Sequence, residues 1–428
     1  MKKQWLALAL AALTALSCTG CAGKQEKQPE GFSPRLDTKI QSELNISGFL
    51  GNFEALDQVV NAFNEIYPNV SVSYESNGSD TLREYVLNNP QVDIFMTADR
   101  NVRYADWGDK YVGDFCADLS KEDLDLSAYN QDLLKPCTID GGLTRLPLGV
   151  SLGGMVVNES LLEKEGLKLP TNYESFLSVC QALKEKGYTP IQGAPAQVYA
   201  YLVQDTVLNT LAEQGQFEAL NRGDLSAAQA VTPALERLST LVEQGYTDPA
   251  VNDTYPEDNY DGAILRFFEG DVPFWVCNTE KVSGMKKRES KSETFSAAPF
   301  SYSFRLIPLG DTGAYEYLEP WYGFSLNKNS QHYDVALEFL RFLSTPEQLN
   351  TMADVKGIPT ACTTPSADSR YTALEGFTPA GLLIADGTVR EHMTSFLGST
   401  ARDLAAGAFA SPQEAAEDYV TRCGEVDN

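Results

Sequence analysis

LNISGFLGNFEALDQVVNAFNEIYPNVSVSYES, residues 44–76, decides the fold class. LNISGF alternates apolar and polar residues, the period of a strand with one buried face. EALDQVVNAFNEIYP then places Leu56, Val59, Val60, Phe63, Ile66 and Tyr67 on one helical face before Pro68 stops it. VSVSYES alternates again. Strand, helix and strand in succession predict a βαβ unit, hence a parallel sheet with a right-handed crossover. TLREYVLN (81–88) adds a helix and VDIFM (92–96) a strand, so the first part of the chain reads as α/β.

Further along, TNYESFLSVCQALKEKG (171–187) carries a predicted capping box of Thr171 and Glu174 after Pro170. Phe176, Val179, Cys180 and Leu183 share its apolar face and Gly187 ends it. Thr232-Pro233 and Thr345-Pro346 read as two helix starts, each an N-cap residue with proline at the first helical position. Leu235, Leu238 and Val242 form a stripe after the first. Ala336, Phe339, Leu340 and Leu343 form another before the second. VPFWVC (272–277) and YGFSLNK (322–328) read as strands.

A chain of 428 residues has room for two or more domains. Its 59 acidic against 33 basic residues give a formal charge of −26, which repels phosphate backbones and excludes nucleic acid as a partner. Lys2 and Lys3 precede the apolar run WLALALAALTALS, which has the length of a signal-peptide core rather than a membrane span. The run ends in SCTGCAG, which resembles a bacterial lipobox. Cys21, preceded by Thr19 and Gly20, is the expected lipidated residue, with Cys18 the alternative. Residues 1–21 are thus expected to be a leader and 22–40 a polar, proline-bearing tether. Cys116, Cys137, Cys180, Cys277, Cys362 and Cys423 follow. Their even number and exported context allow disulfides, with Cys116 and Cys137 the pair nearest in sequence. Cys180 is expected to be simply buried, and no spacing resembles a zinc site.

PLGVSLGGMVVN (147–158) contains G-x-S-x-G, the spacing of a serine-hydrolase nucleophile elbow around Ser151. An elbow needs a helix directly after the serine. Leu-Gly-Gly-Met-Val-Val-Asn makes a poor helix and a good strand. The two histidines, His332 and His392, sit in no motif. The segment reads instead as an extended crossing between lobes, then a strand ending at Asn158 and a helix. An exported hydrolase using Ser151 remains the alternative.

Five segments in order resemble one family. They are EALDQVVNAFNEIYPNVSVSYES, LTRLPLGVSLGGMVVNESLLEKEGLKLPTNYESFLSVCQALKEKGYTPI, AILRFFEGDVPFWVCNTEKV, EPWYGFSLNKNSQHYDVALEFLRFLSTPEQLNTMADVKGIPT and DLAAGAFASPQEAAEDYV. Together they are similar to the extracellular solute-binding proteins of ABC importers, in the carbohydrate-binding family that includes maltose-binding protein. The resemblance implies a two-lobed α/β fold with discontinuous lobes that close on a ligand held in the cleft between them. Lobe one is expected at 41–150 plus 299–368 and lobe two at 151–298 plus 369–428. It further implies no catalysis, no cofactor and no metal, a monomer, a small carbohydrate solute and an ABC permease as partners, and a lipid anchor at the outer face of the cell membrane. A non-sugar solute, bound without transport, is the other alternative.

A sugar offers apolar C–H faces and a rim of hydroxyls, so its site needs aromatic platforms with carboxylates and amides. Trp321 and Tyr322, where the family carries glycines, and Asn278 and Glu280, after the strand VPFWVC, are the candidates on that ground. Open α/β sheets bind at the carboxyl ends of their strands. That adds Phe49, Asn52 and Glu54 after the first strand, Asn77, Ser79 and Asp80 after the second, and Thr97 and Asp99 after VDIFM. Trp107 is a further platform candidate, and Trp275 is assigned to the core. The acidic loop with Asp253, Glu257, Asp258 and Asp261 lacks calcium-site spacing and reads as solvated.

Overall fold

The computed structural model describes residues 32–426 apart from 49, 52, 78–87, 90, 99–114, 256–258, 368 and 376. The leader, Cys21 and most of the tether lie outside these, as do residues 81–87 of the helix expected at 81–88, Phe49, Asn52, Ser79, Asp80, Asp99 and Trp107.

The opening βαβ unit forms as read. Strand β1 (Ser42–Gly48) pairs parallel with β2 (Val70–Ser76) from Ser42↔Val70 to Gly48↔Ser76. The intervening helix α1 (Glu54–Ile66) buries Ala55, Leu56, Val59 and Phe63. Strand β3 (Ile94–Thr97) joins β1 on its other edge, also parallel, with all four residues buried. A strand buried on both faces needs such a continuous run rather than alternation. A short hairpin of β4 (Thr138–Ile139) and β5 (Gly142–Leu143) precedes β6 (Leu146–Pro147). β6 enters the same sheet beside the late strand β13 (Gly323–Leu326), giving the order β2-β1-β3-β13-β6.

From β6 the chain leaves this sheet through β7 (Val150–Ser151) into β8 (Gly153–Asn158). β8 stands between β11 (Tyr302–Arg305) and β10 (Phe274–Asn278), antiparallel to both, and β9 (Ile191–Gln192) flanks β10. Alternation sends each residue of this second sheet to one of two cores. Met155, Val157, Phe274 and Val276 pack with Phe176, Val198, Leu202 and Leu235 from the helices over one face. Val156, Trp275, Cys277 and Phe304 pack on the other face with Phe267, whose ring stacks on Trp275 at 5.7 Å. A third sheet sets β12 (Tyr315–Pro320) between β14 (Gly381–Ile384), parallel, and β7, antiparallel through Glu319↔Ser151.

Three differences from the sequence reading have plain causes. The return to the first sheet, expected at residue 299, comes only at Gly323, because β11 stays hydrogen-bonded to β8. Tyr302–Arg305 is a four-residue strand too short to declare its partner by pattern. The helix Tyr173–Glu185 is capped one residue later than expected: Asn172 and Ser175 form the reciprocal box, not Thr171 and Glu174. Thr232-Pro233 starts no helix. The helix runs Ala228–Glu243 with Pro233 inside it, and the Thr232 hydroxyl donates back to the Ala228 carbonyl at 2.8 Å. Thr345-Pro346 does start one, Pro346–Lys356, with Thr345 as its N-cap. Cys180, Cys277, Cys362 and Cys423 are buried free thiols, Cys180 as expected. Among the described residues no helix is long and apolar enough to cross a membrane.

Candidate functional site

Three passages of chain meet between the first and second sheets. Residues 147–153 and 319–323 run side by side: the Leu148 N–H donates to the Tyr322 carbonyl and the Trp321 N–H to the Gly149 carbonyl, each at 2.9 Å. The third passage follows the helix Pro346–Lys356, and its Pro359 carbonyl accepts from the Val150 N–H at 3.0 Å. Position 149 must be glycine here. A Cβ would stand 2.4 Å from Ile358 Cδ1 and 2.8 Å from the Pro359 carbonyl oxygen.

A cavity of about 320 Å³ opens at this junction. Ala98, at the carboxyl end of β3, closes it from the first sheet, and Ser151, Leu152 and Gly153 form its floor. Tyr201 and Gln204 of the helix Pro195–Glu213 make one wall, with Tyr317 and Glu319 of β12 beside them. Arg390, Glu391 and Thr394 reach it from the start of the helix Glu391–Ala405. The lining thus combines two phenol rings with carboxylates, an amide, hydroxyls and one guanidinium.

Tyr201 is held tightly. Its ring lies on Gly153, where a Cβ would meet Cδ1 at 2.4 Å, and its hydroxyl bonds the Asn278 side chain. Burial pushes that hydroxyl well above the ordinary phenol range, with the charges of Glu280 and Glu319 adding to the effect. One turn along the same helix, the Asp205 carboxyl is pushed up to about 8, first by burial and then by Glu316, against a hydrogen bond from the Tyr317 N–H. Burial raises Glu316 as well. The wall of the cavity is therefore backed by two carboxyls that burial shifts upward.

The sequence-predicted candidates fall around this junction in different roles. Asn278 ends β10 opposite Gly153 and caps the helix Thr279–Ser283, accepting from the Lys281 N–H at 3.2 Å. Glu280 is exposed in the first turn of that helix, and its charge is felt at both Tyr201 and Lys356. Trp321 is only 4% exposed. Its ring contacts Phe53 at 6.5 Å and Tyr322 at 4.8 Å, and Lys356 Nζ stands over it at 5.4 Å. Trp321 is a packing residue of the crossing, while Tyr322 is half-buried beside it. Burial lowers the Lys356 ammonium from its ordinary range, Glu280 pulls it back up and Lys287 adds to the lowering. Glu54 pairs with Lys287 at 2.6 Å, joining α1 to the helix Met285–Glu289. Asn77 donates to Ser47 Oγ at 3.0 Å, which ties it to the end of β1. Thr97 is fully buried against Ser325, Oγ to Oγ 2.9 Å.

Tyr201, Gln204, Tyr317, Glu319, Arg390, Glu391 and Thr394 escape sequence reading. One signal was available: the polar pair Gln204-Asp205 sits inside a helix, Pro195–Glu213, that buries Leu202, Val203, Val207 and Leu208 around it. Ser151 is followed by β8 and not by a helix, and it pairs with Glu319 across the ladder. His332 engages Asp93 at 3.3 Å, and His392 packs on Phe396 at 5.8 Å. The helix that an elbow requires directly after the serine is missing, so the elbow is an accident of spacing. In the acidic loop, Asp261 is ion-paired with Arg288 and with Lys291 at 2.9 Å.

The fold has solved counterparts. A sugar transporter from Bacillus licheniformis, solved with stachyose, superposes with a TM-score of 0.65 at 17% identity, covering 90% of this chain and 100% of that one. The sugar-binding protein MalE from Xanthomonas citri does so at 0.69 and 16%, covering 90% and 97%. A probable secreted solute-binding lipoprotein from Streptomyces coelicolor does so at 0.70 and 16%, covering 89% and 98%. No curated protein matches the chain in sequence. Residues 49–349 match the family described as bacterial extracellular solute-binding protein. That span begins just after β1 and contains α1, β2, the first two strand passages and Tyr201 itself. The chain belongs to the bacterial extracellular solute-binding proteins, and its work is to hold a solute rather than to transform one.

Proposed function

We propose that this protein captures a sugar or short oligosaccharide in the cavity at the strand crossings and hands it to the membrane subunits of an ABC importer. The observation that carries the reading is the lining itself: two phenol rings, Tyr201 and Tyr317, set among Gln204, Glu319, Arg390, Glu391 and Thr394. Rings match the C–H faces of a sugar, and the polar groups match its hydroxyls. The stachyose complex of the Bacillus licheniformis protein and the sugar-binding MalE favour the same solute class.

In this reading the first sheet and the second sheet are the cores of two lobes. The passages at 147–153, 319–323 and 357–371 are the hinge. Lobe one then takes 41–150 with 323–368, and lobe two the rest of the body. Trp321 and Lys356 stiffen the hinge, and Tyr322, Glu280 and Glu54 stand at the mouth of the cleft. Cys21 carries the lipid, and the polar tether after it lets a monomer sample the outer face of the membrane. The tether ends sooner than the expected residue 40, because Phe32 packs on Phe342 at 5.1 Å and the Arg35 N–H donates to Glu338 at 2.8 Å. The lipoprotein from Streptomyces coelicolor supports the anchor.

Calorimetric titration of the mature protein against mono- to tetrasaccharides tests the solute. A saturable heat with one sugar class, weakened but still measurable in Tyr201→Ala while folding persists, is expected. Silence from folded protein across the whole panel would overturn the sugar reading. Fatty-acid labelling of cells tests the anchor: label should enter the wild type and be lost in Cys21→Ala.

A further inference from the structure

A second and larger cavity, of about 950 Å³, lies on the other face of β8 and shares no lining residue with the first. Val156 and the strand Tyr302–Phe304 form its base, and Phe295 and Phe300 one wall. The end of the helix Pro346–Lys356 and the segment Ser369–Tyr371 form the other. Its size is within the range of small-molecule sites, about 300–1,000 Å³. Phe295, Phe300 and Tyr302 meet edge to face, with centroids 5.0 Å apart for the first two and 6.2 Å for the last two. They offer a flat-sided apolar slot.

The charges in the cavity are not evenly matched. Lys286 and Glu289 satisfy each other at 2.7 Å, and the Tyr302 hydroxyl also donates to Glu289 at 2.7 Å. Asp354, exposed at the rim, accepts from Ser366 Oγ at 2.5 Å. Arg370 has no carboxylate among the described residues within ion-pair reach. Its Nη1 makes only long contacts to main-chain carbonyls, 3.5 Å to Val282 and 3.4 Å to Ser283. The backbone makes room for the guanidinium. Gly357 sits at φ 75°, and a Cβ there would come within 3.0 Å of Arg370 Nη1. In a chain of net charge −26, a half-buried arginine with no acid among the described residues beside an aromatic slot is an anion site with an apolar extension.

We propose that this cavity is a second ligand site, taking a small molecule with an aromatic or branched aliphatic body and a single carboxylate or sulfonate head. The head pairs with Arg370, and the body lies against Phe295, Phe300 and Tyr302. The site shares no lining residue with the sugar cavity.

The probe is anilinonaphthalenesulfonate added to folded mature protein, beside neutral phenylnaphthylamine. A saturable, single-site fluorescence gain with the anionic dye is expected, weakened at least tenfold in Arg370→Gln and kept in Arg370→Lys and Tyr201→Ala. Phenylacetate should displace it, and raising salt should weaken the anionic dye but not the neutral one. No saturable gain in the wild type overturns the proposal. So does equal binding by Arg370→Gln, or binding of the neutral dye as tight as that of the anionic one. If Arg370→Gln does not fold, the salt and neutral-dye comparisons on the wild type decide alone.

Discussion

Replacing Gly153 by alanine should close the solute cavity from its floor. The new Cβ would stand 2.4 Å from Tyr201 Cδ1 and 3.1 Å from Cγ and Cε1. Carbon atoms rest at about 3.5–4.0 Å, so the ring must move by roughly 1 Å or more. Gly153 is locked in the ladder opposite Asn278, so the ring yields rather than the strand. The motion has one free direction, into the cavity that Tyr201 lines. Overpacking of this kind costs about 1–3 kcal/mol. The hydroxyl contact to Asn278 adds about 0.5–1.5 kcal/mol when it is broken. Each 1.4 kcal/mol that falls on the bound state is roughly tenfold in Kd. Sugar affinity should therefore drop about 10- to 100-fold, with a fall of a few degrees in melting temperature. The assay is calorimetric titration of Gly153→Ala, Tyr201→Ala and the double variant. In the double variant the clash is gone, so alanine at 153 should cost almost nothing on top of the tyrosine loss, a coupling of about 1–2 kcal/mol. Wild-type affinity and melting temperature in Gly153→Ala, or simple additivity in the cycle, would refute the placement of Tyr201 as the wall.

Other outcomes follow from buried groups. Asp205 is held near about 8 in the folded chain against about 3.9 when unfolded, so the folded state keeps a proton that the unfolded state gives up between those values. Its contribution is complete below pH 4 and lost as pH rises through 8, by at most about 6 kcal/mol. Urea midpoints should fall from pH 5 to pH 9 in the wild type and flatten in Asp205→Asn; parallel curves would sink the assignment. Glu338, 2% exposed, takes hydrogen bonds from the Tyr67 hydroxyl and from the Arg35 N–H at 2.8 Å and pairs with Arg341. Glu338→Ala strands Arg341 and should cost about 3–5 kcal/mol by urea titration. Trp321→Ala should cost a similar amount in stability, about 3–5 kcal/mol, because the ring is packed rather than presented; a variant that loses only sugar affinity would return Trp321 to the site. The thiols of Cys180, Cys277, Cys362 and Cys423 should react in denaturant without prior reduction and stay unreactive in the folded protein, where all four are buried.

What the sequence determined by itself is the class of molecule. The β1-α1-β2 unit, the strand through Asn158, the helix at Thr345-Pro346 and the burial of Cys180 all rest on local periodicity and capping, which need no tertiary partner to be read. The order of weak segments pointed to solute binding for the same reason, since each is a local pattern. Tertiary structure decided the rest. Whether Trp321 faces a solute or a core depends on Phe53, Tyr322 and Lys356, which come from three separate stretches of chain. β11 belongs to the second sheet only because β8 offers it an edge, which four residues cannot announce. Tyr201, Glu319 and Arg390 become one lining because a helix, a crossing strand and a C-terminal helix converge on Ser151–Gly153. Residues so distant in sequence leave no shared period, and only packing brings their chemistry together.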